Sequence, residues 1–289
     1  MSWQRRSERG RQHLYSMWSR AVRAVDSRVS RGLLDGPQKA IGPYPTWDSA
    51  KDSCRGYDDP LILDLTCAAV KRVLDGEGYF ERDGMVIDRP EYPYFLIASL
   101  RRALDDFEEK CTVVDFGGAL GASYRQCQPY LRSVRDLNWC IVEQEKTVEL
   151  GRSRFQTERL FFKRSVAECF RDFEPPFVLI LSGVLQYLPE PMSELSSLLR
   201  RPFDHVIVDR TLLTRSSESK VFVQRVSPKM YDASYPFWEV AENVLLAQFA
   251  DDFECIALDD LRRPNNIGGR EFPEYAYHFR RTERHRPQR

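Results

Sequence analysis

Apolar runs along this chain alternate with polar segments of helical period, and that alternation predicts a parallel sheet. The first run, Thr112-Val113-Val114, ends in Asp115-Phe116; the second, Leu137-Asn138-Trp139-Cys140-Ile141-Val142, ends in Glu143. Arg159 to Ser165 gives a third, edge-side strand. Phe177-Val178-Leu179-Ile180-Leu181-Ser182, preceded by Pro175-Pro176, gives a fourth, and His205-Val206-Ile207-Val208-Asp209 a fifth. Continuous apolar runs suit strands covered on both faces. Helical patterns lie between them, as in Met192 to Leu199, where Leu195, Leu198 and Leu199 share one side. Strand alternating with helix implies right-handed crossovers. Phe253 to Leu258 and Glu274 to Phe279 have no helical pattern between them and predict an antiparallel terminal pair. The expected fold class is α/β: a Rossmann-like sheet, mostly parallel, with an antiparallel last strand and an N-terminal helical addition.

Upstream, residues 44–107 read as helices joined by turns. Thr46 caps a short helix, and Asp59-Pro60 starts another, with aspartate at the cap and proline at the first helical position. That helix carries Ile62, Leu65, Ala69 and Val73 on one face and stops at Gly76. A turn at Asp83-Gly84 and a helix from about Tyr94 to Asp106 follow. Glu81-Arg82-Asp83 fit either an acceptor-binding turn or a salt-bridged surface turn. Before all of these, Ser2 to Asp35 holds eight arginines, no lysine and three acids. Leu14, Trp18, Val22, Val25 and Val29 fall there near helical spacing, which predicts a basic amphipathic helix. Its thin apolar stripe favours packing on the protein, or on a second copy in a homodimer, over interfacial membrane contact. Arg280 to Arg286 reads as a solvated tail.

A chain of 289 residues can bury a substantial core as one catalytic domain with an addition. Lysine plus arginine balance aspartate plus glutamate at 43 each, so no nucleic-acid partner is expected. No run is apolar enough to span a bilayer, and the polar start lacks a secretory h-region. The seven cysteines are scattered, without a C-x-x-C pair or a Cys/His cluster of ligand spacing. No metal is expected, and the free thiols point to a reducing, cytoplasmic setting.

The candidate chemistry begins where the first strand ends. Phe116-Gly117-Gly118-Ala119-Leu120-Gly121-Ala122-Ser123 places small residues at every second position, Gly117, Ala119 and Gly121. Such a turn is expected to let a ligand press on bare backbone, with a helix N-terminus behind it. The spelling D-x-G-x-A-x-G favours S-adenosylmethionine (SAM) over a dinucleotide, whose fingerprint is G-x-G-x-x-G. Asp115 would repel a pyrophosphate but suits the cationic amino group of a bound methionine. Glu143, at the tip of the second strand, is placed to accept both ribose hydroxyls. The methionine end is expected near Asp115, Ser182 and Gly183, and adenine near Gln144, Ser165 and Val166. Gly118 completes the expected cofactor-binding set.

Several segments together resemble a family of bacterial class I SAM-dependent methyltransferases associated with surface-polysaccharide or secondary-metabolite gene sets. They are Phe116 to Gly121, Ile141 to Gln144, Leu181 to Pro189, and Val208-Asp209-Arg210-Thr211, with Gly42 to Trp47, Tyr57-Asp58, Glu81 to Asp83 and Tyr235 to Trp238. The resemblance runs from about Gly42 onward. It implies the class I fold and SAM as cofactor, and leaves the substrate unassigned. The corresponding division is an arm at 1–41, a helical preface or lid at 42–110, a methyltransferase domain at 111–282 and a tail at 283–289.

The expected reaction is in-line displacement of the methyl group, accelerated largely by alignment. The acceptor is expected to be a small molecule or glycan precursor, with natural-product or polysaccharide biosynthesis as the setting. A hydroxyl acceptor would need a general base within hydrogen-bond reach. Tyr187 and Asp209, at the carboxyl ends of the fourth and fifth strands, are the candidate catalytic residues. Tyr231, Tyr235 and Trp238 are the candidate aromatic wall for the acceptor. His205 and His278 read as structural. The alternative from another class is a catalytically silent methyltransferase-like module for binding or assembly.

Overall fold

A computed structural model of the chain describes residues 39–54, 60–107, 110–226, 233–259 and 264–282. The expected arginine-rich helix, the Asp59 cap, Tyr231 and residues 283–289 lie outside the described residues; Arg280 and Arg281, expected to begin a solvated tail, instead close the last strand, and Arg281 is buried with its guanidinium donating to Phe203 O and Leu199 O. The chain begins with β1 (Lys39–Tyr44), α1 (Trp47–Lys51), α2 (Pro60–Leu74), the hairpin β2 (Phe80–Arg82) and β3 (Met85–Ile87), and α3 (Tyr94–Asp105). Strand–helix units follow: β4 (Lys110–Phe116), α4 (Ala122–Cys127), β5 (Asp136–Val142), α5 (Glu145–Arg154), β6 (Leu160–Lys163) and α6 (Val166–Asp172). Then come β7 (Phe177–Ser182), α7 (Pro191–Leu199), β8 (His205–Thr214), β9 (Lys220–Arg225), β10 (Ser234–Ala241) and α8 (Glu242–Ala247). The last three strands are β11 (Phe253–Asp259), β12 (Pro264–Ile267) and β13 (Arg270–Arg281).

The central strands run in the order β6-β5-β4-β7-β8, all parallel. β13 then pairs antiparallel with β8 on one side and with β11 on the other. This is the expected Rossmann-like sheet, mostly parallel, with the antiparallel last strand slotted between the fifth and sixth. Local signals account for the flanking helices. Thr46 and Ser49 form a reciprocal cap on α1, and Gly76, at φ +86°, follows the end of α2.

The sheet continues beyond the expected one. β10 joins the end of β8 in parallel through Val240 and Leu213, and β9 and β1 extend β10 in antiparallel pairing. β1 therefore straddles the boundary expected between residues 41 and 42. Residues 220–241, read from sequence only as a segment beside the site, supply two strands. Their buried apolar residues fall on both faces, Val221, Phe222 and Val223 in succession, so period-2 alternation is lost.

Each face of the sheet carries an apolar layer. Leu96, Leu100 and Leu104, at i,i+4 spacing on α3, pack with Leu120, Ile141 and Phe162 on one side. Leu195 and Leu198 of α7 pack with Phe203 and Phe249 on the other. Both layers draw on the strand–helix periodicity, and each fully buried leucine contributes about 1.5–3 kcal/mol.

His205 and His278 meet in the core at the amino end of β8, Nδ1 to Nε2 2.8 Å apart, one ring donating and the other accepting. Burial pushes His205 down to about 4 and His278 down to about 3, with Asp106 and Asp204 pulling His205 upward and Arg280 and Arg102 adding to the depression. Such a pair favours the native state at pH above the ordinary histidine value, and that stability is lost as pH falls from about 6.5 toward 4. Asp115 and Glu81, both raised to about 7, act in the opposite sense over the same range. The difference between wild type and His278→Gln isolates the histidine effect. Urea unfolding at pH 7 and pH 5 is expected to show a smaller acid loss in His278→Gln, and equal losses would refute the assignment.

Candidate functional site

The order of connection reverses at the border of β4 and β7. From β4 the chain steps outward to β5 and β6, then returns to the other side of β4 to make β7 and β8. Open α/β sheets bind ligands outside the carboxyl ends of their strands at such a reversal. Here that edge carries Gly117, Gly118 and Ala119 beyond β4, and Gly183 beyond β7. Gly117, Ala119 and Gly183 have φ of +74°, +47° and +66°. The two tips are tied down by their own backbone: Gly117 N–H donates to Val142 O at 2.9 Å, and Gly183 N–H to Asp209 O at 2.8 Å.

The glycines of the turn serve its own packing. A Cβ on Gly118 would lie 2.6 Å from the Asp115 carboxyl, and one on Gly117 would collide with Val184. A Cβ on Gly121 would press on Arg125 and Ile141 at 3.2 Å, and its φ of +92° is strained for any other residue. The glycines thus have a packing reason beside the expected ligand one. Side chains at these positions would meet protein, so substitutions there test the fold of the turn as much as a ligand.

Acids line this edge. Asp115 is 1% exposed, beneath the turn, and its Oδ2 accepts the Trp139 indole N–H at 3.0 Å. Burial pushes its pKa up to about 7; the Trp139 hydrogen bond and Arg210 oppose the rise, and Glu143 adds to it. Glu143 is half-buried at the tip of β5. Its Oε1 accepts from Ala119 N–H at 3.2 Å and its Oε2 from Gln144 N–H at 2.9 Å, so one carboxylate bridges the β4 and β5 turns. Gln144 is exposed at the start of α5. Ser165 caps α6 by accepting from Glu168 N–H, and Val166 beside it is buried.

On the other side of the reversal, Ser182 Oγ donates to Asp209 Oδ2 at 3.1 Å. Asp209 is buried, which raises its pKa against the pull of Arg210. Arg210 itself, at φ +49°, was not singled out by spacing or composition. Its guanidinium lies beside Gly183, whose added Cβ would sit 3.3 Å from it, and the charges of Asp209, Asp83 and Glu274 hold its pKa up against burial. Glu81 belongs to the same group: 5% exposed on β2, accepting from Gly84 N–H at 2.9 Å, and raised to about 7 by burial. The hairpin that carries it packs on α2 and α4. The sequence signal for Arg210 was its place just past a strand's carboxyl end. Glu274, on a strand far along the chain, had none.

Tyr187 lies on a 3-10 turn over Leu185–Tyr187, and its ring meets Tyr235 edge-on at 5.5 Å. Trp238 stacks instead on Trp47 at 5.9 Å and donates its indole N–H to Pro189 O. Tyr235 and Trp238 lie three apart on β10, hence on opposite faces. The structure brings Tyr235 to Tyr187 and takes Trp238 elsewhere; Tyr231 is not among the described residues.

No protein-family model matches this chain, and no curated protein matches it. Solved structures do. The chain is similar to the N-terminal domain of EvdMO1 with S-adenosylhomocysteine (SAH) bound, at 14% identity and TM-score 0.43, over 73% of this chain and 95% of that one. It is also similar to 1,6-didemethyltoxoflavin-N1-methyltransferase of Burkholderia thailandensis, at 13% identity and TM-score 0.38, over 76% and 88%. A third is magnesium protoporphyrin IX methyltransferase of Synechocystis PCC 6803 with SAM bound, at 13% identity and TM-score 0.42, over 65% and 78%.

Proposed function

We propose that this chain is a SAM-dependent methyltransferase acting on a small molecule or glycan precursor in the cytoplasm. The observation that carries the reading is the acid lining of the strand-order reversal. Asp115, Glu143 and Asp209 would repel the phosphates of a dinucleotide, whereas a nucleoside bearing a sulfonium and an ammonium group would be attracted. The residues present therefore fit that cofactor, which when bound supplies an electrophilic methyl group on a positive sulfur. Glu143 would hold the ribose hydroxyls, and Asp115 with Ser182 and Gly183 the amino-acid end. Gln144, Ser165 and Val166 would border the adenine, with Gly117, Gly118, Ala119 and Gly121 shaping the turn between. Tyr187 and Asp209 would face the acceptor, Asp209 receiving its proton and Tyr187 setting its angle, while Tyr231 and Tyr235 remain the aromatic candidates for its apolar body and Trp238, stacked on Trp47, drops out.

Calorimetric titration with SAH tests the cofactor assignment; saturable NAD binding in its place would overturn it. Asp209→Asn and Tyr187→Phe are expected to lower turnover at least about ten-fold, the lower part of the range for a lost acid–base group, with SAH affinity nearly unchanged. Full turnover in both would refute their roles, and SAH binding with no turnover on any acceptor would mark a silent module. Among the described residues no three metal-ligating side chains converge, and EDTA is expected to leave methyl transfer intact. Loss on chelation, restored by magnesium or zinc, would refute that.

A further inference from the structure

Two consecutive residues after β7 touch the strands on both sides of it. Val184 stands where a Cβ on Gly117 would lie, 2.4 Å from that position, and so packs against the β4 turn. Gly183 lies under the Arg210 side chain of β8, with Nη2 at 3.3 Å and Nε at 3.6 Å from where a Cβ on Gly183 would sit. The guanidinium is therefore one residue away from the glycine turn, over the tip of β7. Any side chain on Gly183 would take the space beside it.

The backbone here is held in place by the fold. Gly183, Arg210 and, across the reversal, Ala119 have φ of +66°, +49° and +47°. For a residue with a Cβ that conformation is strained, and it persists where surrounding structure over-determines it. The β7 loop supplies the restraint: Gly183 N–H donates to Asp209 O, and Gln186 Nε2 to Arg210 O. Those two bonds clamp the β8 backbone on each side of the Arg210 Cα and fix where its side chain starts.

The acids near Arg210 have partners of their own. The Asp209 carboxyl takes the Ser182 hydroxyl and the Arg210 backbone N–H. Glu81 takes Gly84 N–H, and Glu274 takes the Asn265 amide. The Arg210 guanidinium itself makes no hydrogen bond or ion pair with any of the described residues. It is half-buried, and its planar fork of five N–H donors suits a carboxylate arriving from outside the fold. On the far side of β7 stands Asp115, which carries the opposite charge when ionised. An α-amino acid, with an ammonium and a carboxylate on one carbon, asks for such an acid and such a fork near each other.

We infer that Arg210 holds the carboxylate of the cofactor's amino-acid end, through the N–H groups of its fork beside Gly183. The inference rests on the methyl-transfer reading, which puts that end at Asp115, Ser182 and Gly183. Two parallel N–H···O bonds give the contact direction as well as strength. Arg210 is then a cofactor-binding residue that sets the sulfur's position and rejects adenosine derivatives lacking the carboxylate.

Calorimetry on the full chain compares SAH with decarboxylated SAH, which keeps the amine, the ribose and the adenine. Wild type is expected to bind SAH at least about ten-fold more tightly, as a charge-assisted pair should give. Arg210→Gln is expected to bind the two alike, and its retained affinity for decarboxylated SAH shows that the site is folded. Arg210→Lys keeps the charge without the fork and is expected to fall between. Equal binding of both ligands by wild type, or an undiminished preference in either variant, would overturn the inference. Should Arg210→Gln fail to fold, the lysine variant carries the comparison. Failure of both ligands to bind wild type would instead strike the methyl-transfer reading.

Discussion

Replacing Glu143 with alanine is expected to weaken SAH binding by roughly ten-fold to a hundred-fold, from the 1.5–3 kcal/mol of a hydrogen bond to a charged group. The geometry sharpens the expectation. This carboxylate joins Ala119 N–H to Gln144 N–H, so it stands on the border of two turns. Loss of the side chain removes the ribose partner and also leaves the Ala119 amide without its acceptor. Glu143→Gln keeps an oxygen acceptor without the charge and should fall between. Calorimetry at one pH and salt concentration decides the matter; a loss below about two-fold in Glu143→Ala would mean that the carboxylate is merely solvated.

Affinity for SAH should rise about ten-fold between pH 6 and pH 8 through Asp115, because a carboxyl titrating near 7 is mostly protonated at the lower pH and mostly ionised at the higher. Burial is the main cause of the raised value, with Trp139 and Arg210 opposing it. The ligand's ammonium stays charged over this range and favours the ionised carboxylate, so binding below pH 7 must expel a proton. Stability runs the other way. A carboxyl whose native pKa is raised takes up a proton on folding, so its contribution is largest below the ordinary carboxylate range and declines as pH rises toward 7. Asp115→Asn keeps an oxygen for the Trp139 N–H but carries no charge. It should bind SAH weakly at both pH values and lose both slopes. A pH dependence equal to wild type in that variant would place the titrating group elsewhere, Glu81 being next in line.

How far the sequence reached is clearest in the strands. Thr112 to Phe116, Leu137 to Glu143 and Phe177 to Ser182 are apolar on both faces, the pattern of strands covered on each side, and helical segments lie between them. The parallel core, its crossovers and the antiparallel end were legible for this reason, as were Asp115, Glu143 and Asp209, since an acid that closes such a run stands at a ligand-bearing edge. β9 and β10 were not. They are held by pairing with each other and with β1, residues nearly two hundred positions away in the chain, and no local pattern records a partner that distant.

The alternation of strand and helix, the glycine-rich turn and the acids at the strand tips were thus determined by the sequence itself, because each follows from periodicity or from a residue type at a marked position. Only the tertiary structure decided that the turn glycines face Val184, Asp115 and Arg125, that Trp238 turns away from Tyr235 to stack on Trp47, and that Glu81 and Glu274 come within reach of Arg210's charge. These are meetings of side chains from separate elements. Burial and charge at a point in space depend on what the whole fold brings there, and a linear pattern carries the direction of a side chain but not its neighbour.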